Sequence, residues 1–412
     1  MALLGTLWKF GIGALHCDSN TRQCMATSVV SYKESFGFDA PPYSYADFEE
    51  SDVLVFVGAN PCIAHPIMWE RVCKNPHKPE IIVLDPRRTE TAAVADEHHF
   101  VRPGSDAVLL LAMLNTLFAE NLVRLGHLES VTDGLEAVRT AAQHFTPEVA
   151  ARHTGIEADT IRQLTRDFAA ADGAVAYGRI GLSVQHFGGL CQWLVYLLNT
   201  LTGNLDRAGG AMFTTPAFDL VRQRSEYPVF NRYRSRVRDL PEFDGNSPSP
   251  ALADEILEPG QGQIRALVTV AGNPVLSTPN GTRLETALET LEFYVAVDIY
   301  VNETTRHANI ILPPTTGLET AHYDLAFFNL AVRNVAKWNA PTLNAAPDTR
   351  HDWQILEELT QRLSGKPVAP TDPAERVDRM LRASPHDLTL ETLQGNRTAL
   401  TSGRCAAVCL SD

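Results

Sequence analysis

The sequence predicts an α/β fold built on parallel sheets. Two apolar, β-branched runs begin at Val53 and Ile81 and alternate with stretches of helical periodicity, and the alternation returns after residue 263. A continuous apolar run is typical of a strand buried on both faces, and strands that alternate with helices form parallel sheets. We therefore expect helices on both faces of each sheet.

The first half of the chain contains three predicted strands. They run from Val53 to Gly58, from Ile81 to Asp85 and from Ala174 to Arg179, and each ends at Gly, Asp or Arg. Apolar residues at helical spacing predict helices over residues 64–73, 107–121, 146–171 and about 185–200.

The second half repeats the order of an apolar strand followed by a polar turn. Residues 216–262 are rich in Pro, Arg, Asp and Ser without a clear period, which predicts an irregular excursion between the halves. After it, we predict strands over 264–271, 293–298 and 309–313 and helices over 352–363 and 374–381.

Composition excludes several classes of protein. The 412 residues carry a formal net charge of −14, which argues against a nucleic-acid partner because phosphate backbones attract clustered Lys and Arg. The longest apolar stretch, 190–201, is too short to span a bilayer, and we find no leader peptide. Seven scattered cysteines without a C-x-x-C pair indicate a reduced, cytoplasmic chain.

Polar turns follow four of the predicted strands. In open α/β sheets, ligands gather at the carboxyl ends of the strands, so these turns suit a nucleotide or a pterin with phosphates. Asp85 would accept from a ribose or guanine group while Arg87 or Arg88 meets a phosphate. The alternative is that such residues only end strands and cap helices. The turns are Gly58 to Asn60, Asp85 to Thr89, Gly272 to Pro274, and Asp298.

Cys24 is the candidate metal ligand. A thiolate beside Arg22 and near a predicted helix start would have a lowered pKa and would bind a soft metal, whereas the alternative for a lone cysteine is a small core residue. Three isolated histidines show no zinc spacing, and the pair Cys405 and Cys409 is a weak candidate for a metal site. The three histidines are His65, His186 and His307.

Eight segments, taken in order over roughly residues 16–365, resemble the catalytic subunits of molybdopterin oxidoreductases of the dimethyl-sulfoxide-reductase family. The Cys24-Met25 pair is most similar to that of periplasmic and assimilatory nitrate reductases, since formate dehydrogenases of this family typically have His after the ligand. The segments are Asn20 to Met25, Gly58 to Asn60, Asp85 to Thr89, Pro103 to Asp106, Gln185 to His186, Leu201 to Leu205 with Gly209-Gly210, Gly272 to Pro274 and Val297 to Pro313.

The resemblance implies a cofactor and a reaction. Cys24 would ligate a molybdenum held by two molybdopterin guanine dinucleotides (bis-MGD), and Met25 and Arg22 would lie at the catalytic centre. The implied reaction is oxygen-atom transfer from nitrate, a small anion, which gives nitrite and consumes two electrons from an unidentified partner. The implied dinucleotide contacts are Gly58, Asn60, Asp85, Arg87, Thr89, Gly104, Asp106, Gln185, Asn273 and Asp298.

The chain also departs from the family pattern. No four-cysteine segment for a 4Fe–4S cluster precedes Cys24, and no barrel domain follows the last predicted helices, so we expect an incomplete member. Gly178 to His186 differs in spacing from the usual Met-Gly-x-x-Gln-His. A formate dehydrogenase-like enzyme and a truncated, non-catalytic relative therefore remain the alternatives.

We expect five segments along the chain. Residues 1–50 carry the active-site cysteine, 51–106 and 263–365 form one interleaved α/β domain, and 107–215 form a second. Residues 216–262 form the excursion and 366–412 a truncated helical tail.

Overall fold

The chain folds into two compact units. The larger unit comprises residues 25–226, 324–336 and 399–412, and the smaller unit comprises 1–24, 227–323 and 337–398. Our computed structural model describes residues 7–8, 13–214, 216–217, 230–243, 245–325, 328, 333–365, 372–395 and 400–404.

Four parallel strands form the sheet of the larger unit. They are β1 (Val53–Val57), β2 (Glu80–Leu84), β3 (Glu97–His99) and β4 (Ala174–Gly178), in the spatial order β3-β2-β1-β4. All five residues of β1 are buried, as the continuous apolar run predicts. The carboxyl ends of β1, β2 and β4 therefore meet at one edge of the sheet.

Helices cover this sheet and supply most of its core. Asp106–Ala119 and Gly188–Leu201 contribute fully buried side chains such as Leu109, Leu114 and Leu194. The α-helices of the larger unit are Ala26–Phe36, Tyr45–Glu50, Pro61–Ala64, Pro66–Cys73, Glu90–Val94, Asp106–Ala119, Leu135–Ala142, Pro147–Thr154, Ala158–Ala170, Ile180–Ser183 and Gly188–Leu201, with a 3-10 turn at Gly126–Val131.

Side-chain groups satisfy the outer edge of β4, where no other strand of the described residues pairs. The Asn199 amide donates to the Ala176 carbonyl and accepts from the Ala176 N–H, both at 2.9 Å. Asn204 accepts from Ala174 N at 3.2 Å, and the Tyr43 hydroxyl donates to the Ala176 carbonyl at 2.9 Å. Because buried backbone groups need partners, these side chains replace a fifth strand.

The smaller unit has its own parallel sheet. After the antiparallel pair β5 (Phe230–Arg234) and β6 (Pro241–Phe243), strands β7 (Ala266–Val270), β8 (Phe293–Val297) and β9 (Ile310–Ile311) follow in the spatial order β7-β8-β9. Its helices are Leu252–Leu257, Pro274–Ser277, Gly281–Glu289, Asp352–Ser364, Pro373–Arg382 and Leu390–Gly395, with 3-10 turns at Asn20–Gln23, Ser249–Ala251 and Thr305–His307.

Short antiparallel pairs complete the described structure. In the smaller unit, β10 (His322–Tyr323) pairs with β12 (Trp338–Asn339), and in the larger unit β11 (Arg333–Ala336) pairs with β13 (Leu400–Arg404). Cys405 and Cys409, the weak candidate pair for a metal, lie outside the described residues. In the portion of the chain that is described, no helix has the length and hydropathy to cross a membrane.

The structure confirms the six predicted strands and corrects several helix boundaries. The predicted helix over 146–171 is two helices, because Gly155 ends the first in a left-handed conformation with φ +81°. The predicted helix over 64–73 is interrupted at His65, which precedes a proline. The predicted irregular excursion over 216–262 contains β5, β6 and Leu252–Leu257.

The sheet pairing differs from the predicted domain division. The prediction joins 51–106 to 263–365 and assigns 107–215 to a second domain. However, β4 pairs with β1 along its whole length, whereas β7, β8 and β9 form a separate sheet. The physical reason is that an apolar run indicates a buried strand but does not identify the neighbour to which its backbone bonds.

We predict that Asn199→Leu lowers the free energy of unfolding by about 2–4 kcal/mol, because it leaves the N–H and the carbonyl of Ala176 with fewer partners inside the core. Urea denaturation measures the change. The control is Asn115→Leu, which removes one bond to the Ala142 carbonyl at a half-buried position and should cost about 1 kcal/mol or less. Equal losses in the two variants would contradict the edge-capping role.

Candidate functional site

A three-residue network fixes the turn after β1. The Asn60 amide donates to Glu90 Oε2 at 2.7 Å, and its carbonyl oxygen accepts from the Thr91 hydroxyl at 2.8 Å and from Thr91 N at 3.2 Å. The same hydroxyl accepts from Cys62 N at 3.2 Å. Thr91 is fully buried, so this network joins the β1 turn to the helix that follows β2.

The smaller unit contains an equivalent network after β7. The Asn273 amide donates to Glu303 Oε2 at 2.7 Å, and its carbonyl oxygen accepts from the Thr304 hydroxyl at 2.6 Å. That hydroxyl accepts from Val275 N at 3.0 Å. Thr304 is fully buried, like Thr91.

The two networks belong to an internal repeat with a constant offset. Asn273 follows Asn60 by 213 positions, and the Glu-Thr pair at 303–304 follows the pair at 90–91 by the same number. Strands β7 and β8 also begin 213 positions after β1 and β2. One strand-turn-strand-turn pattern is therefore present twice without an insertion.

An aspartate ends the second strand of each copy and forms the same turn. Asp85 Oδ1 accepts from Arg87 N at 2.9 Å, and Asp298 Oδ1 accepts from Tyr300 N at 2.9 Å. Asp85 does not cap the next helix, because Thr89 does so by accepting from Ala92 N at 3.1 Å. One oxygen of each aspartate is thus held by its own turn.

Asp106 and Gln185 meet at the same edge of the larger unit. The Gln185 amide donates to Asp106 Oδ2 at 2.9 Å, and burial, opposed by this bond, raises the pKa of Asp106. Asp85 also raises this pKa, which places the two carboxylates near each other. The Gln185 carbonyl oxygen is buried and has no hydrogen-bond partner within the described residues.

The two predicted site glycines differ in what surrounds them. Gly104 has φ +81° and open space where a Cβ would stand. Gly58 has φ +56°, but a Cβ there would lie 2.8 Å from Leu182 N and 2.9 Å from the Gly181 carbonyl carbon. Its N–H donates to the Leu84 carbonyl and its carbonyl accepts from Gly181 N, both at 3.0 Å. Gly58 therefore packs β1 against the turn after β4, and its backbone groups are already bonded.

Cys24 is exposed and lies between two helical segments. It follows the 3-10 turn Asn20–Gln23, and its N–H donates to the Thr21 carbonyl at 3.1 Å. The predicted pairing of its thiolate with Arg22 is not the arrangement found. Arg22 Nε donates to Asp18 Oδ2 at 2.8 Å, because that carboxylate is an ionic partner one helical turn away, and a second Arg22 nitrogen donates to the Asn246 carbonyl.

Met25 directly precedes the helix Ala26–Phe36, and hydroxyl groups of this helix bond to the two helices that follow β4. Thr27 donates to the Ser183 carbonyl at 3.5 Å, and the hydroxyls of Ser28 and Ser183 lie 3.4 Å apart. Ser31 donates to the Gly189 carbonyl at 2.8 Å. The start of this helix is thereby fixed relative to the carboxyl edge of the sheet.

The predicted site residues fall into three groups. The larger unit brings most of them to the carboxyl edge of its sheet, Asn273 and Asp298 occupy the equivalent edge of the smaller unit, and Arg22 and Cys24 lie in the N-terminal segment. No cluster of three or more His, Cys, Asp or Glu side chains arranged for a metal occurs among the residues described. Sequence reasoning missed Asp18, Glu90, Thr91, Glu303 and Thr304. The repeated spacing of Asn-Pro and Glu-Thr was the signal for the last four.

Comparisons with known proteins identify relatives of this chain. The family model for molybdopterin oxidoreductases matches residues 2–362. The assimilatory nitrate reductase of Haloferax mediterranei is 29% identical over 89% of this chain and 53% of its own length. Formate dehydrogenase H of Escherichia coli is 27% identical over 91% of this chain and 54% of its own length. The chain thus spans about half the length of the curated relatives it matches.

A solved structure supports the fold. The acetylene hydratase of Pelobacter acetylenicus superposes with a TM-score of 0.77 at 20% sequence identity, over 97% of this chain and 59% of that protein. This likeness confirms the predicted α/β, parallel-sheet class.

We predict that Thr91→Val and Thr304→Val each lower the free energy of unfolding by about 2 kcal/mol, because each removes a buried hydroxyl that serves two partners. Urea denaturation measures the change. The controls are the exposed Thr140→Val and Thr286→Val, one in each unit, which should change it by about 0.5 kcal/mol or less. A large cost at only one of the two buried threonines would contradict their equivalence.

We also predict that Gln185→Leu raises the pKa of Asp106 further, because the amide bond is what opposes burial. A carboxyl with a raised pKa favours folding below its unfolded pKa, and that contribution is lost as the pH rises through its folded pKa. In the variant, this stabilising contribution should therefore be lost at a higher pH than in the wild type. Carboxyl NMR titration measures the shift, and an unchanged or lower pKa would contradict the assignment.

Gln163→Leu is the matched control for Gln185→Leu. It removes an amide bond to Asp167 in the same unit, but at an exposed position. We expect it to leave the titration of Asp106 unchanged.

Proposed function

Since the chain belongs to the molybdopterin oxidoreductase family, we propose that it holds a molybdenum bis-MGD centre with Cys24 as the protein ligand and reduces nitrate. The small-anion substrate and the electron partner are parts of this proposal, as is the cytoplasmic location predicted from the cysteines. The relatives that support nitrate include the nitrate reductases of Haloferax mediterranei and Synechocystis.

The internal repeat is the observation that carries the proposal. Each copy presents an Asn-Glu-Thr network and an aspartate turn at the carboxyl edge of a parallel sheet, where α/β proteins bind nucleotides. Two equivalent edges suit two dinucleotides, one for each copy. A single mononucleotide would leave the second network without a binding role.

Three features of the larger unit fit a guanine dinucleotide. The buried Gln185 carbonyl oxygen lacks a partner within the described residues and would accept from a ligand N–H. Gly104 leaves space where any other side chain would stand, and Arg87 is exposed at the Asp85 turn, where it would meet a phosphate. Asn60 and Thr89 would act mainly by holding the turn in place.

The proposed roles of the N-terminal residues follow from their positions. The Cys24 thiol is exposed and thus accessible as a soft ligand. The Asp18–Arg22 ion pair holds the preceding turn, so Arg22 would act by positioning Cys24. Met25, at the start of a fixed helix, would limit access to the centre. The bound centre would supply two-electron, oxygen-atom-transfer chemistry.

A second candidate function is formate oxidation with the same cofactor. The F420-dependent formate dehydrogenase subunit alpha of Methanocaldococcus jannaschii is 26% identical over 87% of this chain. Met25, in place of the His expected after the ligand of formate dehydrogenases, favours nitrate. Nitrate-dependent and formate-dependent dye turnover separate the two activities.

We predict that protein purified from cells competent for cofactor synthesis contains molybdenum and about two GMP equivalents after hydrolysis. Cys24→Ala should reduce the bound molybdenum and abolish nitrate turnover, because it removes the thiolate ligand. Elemental analysis and nucleotide chromatography measure the contents.

Cys73→Ala, which removes an equally exposed thiol in the helix Pro66–Cys73, is the control and should match the wild type. Folded wild-type protein without metal and nucleotide would overturn the proposal and favour the non-catalytic relative. If Cys24→Ala has the molybdenum content and the nitrate turnover of the wild type, only the role of Cys24 as the ligand is overturned.

A further inference from the structure

Arg179 stands at the carboxyl end of β4, in a backbone position that is closely fixed. Its N–H donates to the Val57 carbonyl at 3.2 Å, which continues the pairing of β4 with β1. Its carbonyl accepts from Leu182 N at 2.9 Å and from the Gln192 amide at 3.1 Å. The side chain therefore leaves the sheet from a rigid point.

The guanidinium of Arg179 lies among aromatic groups. Burial raises the pKa of Tyr32, Tyr177 and Tyr196, and the charge of Arg179 opposes that rise at each, so the guanidinium lies near these rings and near His65. Burial and Arg179 together lower the pKa of His65 to about 4, so this imidazole is neutral near pH 7. The His65 ring lies edge-on to Tyr177, with 6.4 Å between centroids.

No anionic partner for this charge is present in the described structure. Arg179 is half-buried, and its side chain forms no hydrogen bond or ion pair with any described residue. By contrast, the arginines at 22, 71, 162 and 166 pair with carboxylates. A partly desolvated guanidinium with five free donors, beside a neutral imidazole that has one N–H, is suited to an oxyanion.

We propose that Arg179, with His65 beside it, binds a small oxyanion at this edge of the larger unit. This inference rests on the proposed function and identifies the residue that would hold its substrate. Tyr32 belongs to the helix Ala26–Phe36, which begins directly after Cys24 and Met25, so Arg179 lies near the helix that follows the proposed metal ligand.

The position of Arg179 separates it from the phosphate contact proposed at Arg87. The Asp85–Arg87 turn follows β2, whereas Arg179 follows β4, with β1 between them. Two strand spacings separate these ends by roughly 10 Å. Arg179 also lies near the buried rings of Tyr32 and Tyr196, and a compact ion needs less space beside them than a pyrophosphate chain does.

The test detects anion binding by its effect on the unfolding midpoint, so it does not require catalysis. The thermal unfolding midpoint of the purified chain is titrated with sodium nitrate, sodium formate and GMP at constant ionic strength, with sodium chloride as the baseline. We expect nitrate or formate to raise the midpoint of the wild type. Arg179→Gln should weaken the apparent affinity roughly 10-fold or more, because charge-assisted hydrogen bonds are lost.

Two further variants keep the result interpretable. Arg179→Lys retains the charge but loses the planar fork, so its affinity should lie between those of the wild type and Arg179→Gln. Arg152→Gln removes an exposed positive charge elsewhere in the larger unit and should bind like the wild type. We expect each variant to have the wild-type unfolding midpoint in sodium chloride, which shows that it is folded.

Two outcomes would overturn the inference. One is an unchanged response to nitrate and formate in Arg179→Gln, and the other is an Arg179-dependent response to GMP alone, which would assign the residue to a nucleotide phosphate. The molybdenum and GMP contents of Arg179→Gln should equal those of the wild type. Wild-type protein without metal would count against the proposed function, yet the anion titration would still decide the role of Arg179.

Discussion

The fold of each unit depends on side-chain groups that form hydrogen bonds with buried backbone atoms at the boundaries of its parallel sheet. A parallel sheet leaves unpaired groups at its outer strands and at the turns beyond its carboxyl ends, and each unpaired group inside a protein costs about 1–3 kcal/mol. Asn199 and Asn204 meet this requirement along the edge of β4. Thr91 and Thr304 meet it at the turns, where each hydroxyl accepts a backbone N–H.

This constraint also explains how the turns of the candidate site are held in place. Asn60 and Asn273 each connect a turn to the Glu-Thr pair that follows the neighbouring strand, so the position of one turn fixes the other. A ligand at such an edge meets groups that do not need to be ordered first, which reduces the entropic cost of binding. The polar residues that hold the turns are therefore as important to the site as those that would touch a ligand.

The sequence predicts the buried strands well because their signal is local. Continuous apolar runs identify β1, β2 and β4, and the sequence predicts the polar turns after β1 and β2 as candidate sites. The sequence does not reveal β3, whose three residues Glu-His-His lack an apolar pattern, or the pairing of β4 with β1, which is a long-range contact. Proximity in sequence also did not identify the partner of Arg22: it pairs with Asp18, four residues before it, and not with Cys24, two residues after it.

The two copies of the repeat share the residues that hold the turns and differ in the residues that follow the aspartate. The Asn, Glu and Thr of each network and the aspartate of each turn are the same, but the residues after the aspartate are Pro-Arg-Arg in the first copy and Ile-Tyr-Val in the second. Arg87 and Arg88 give the first edge positive charge, whereas Tyr300 and Val301 are 69% and 75% exposed at the second. The two dinucleotides that we propose would therefore meet unequal surroundings, with phosphate contacts stronger at the first edge and apolar or stacking contacts stronger at the second.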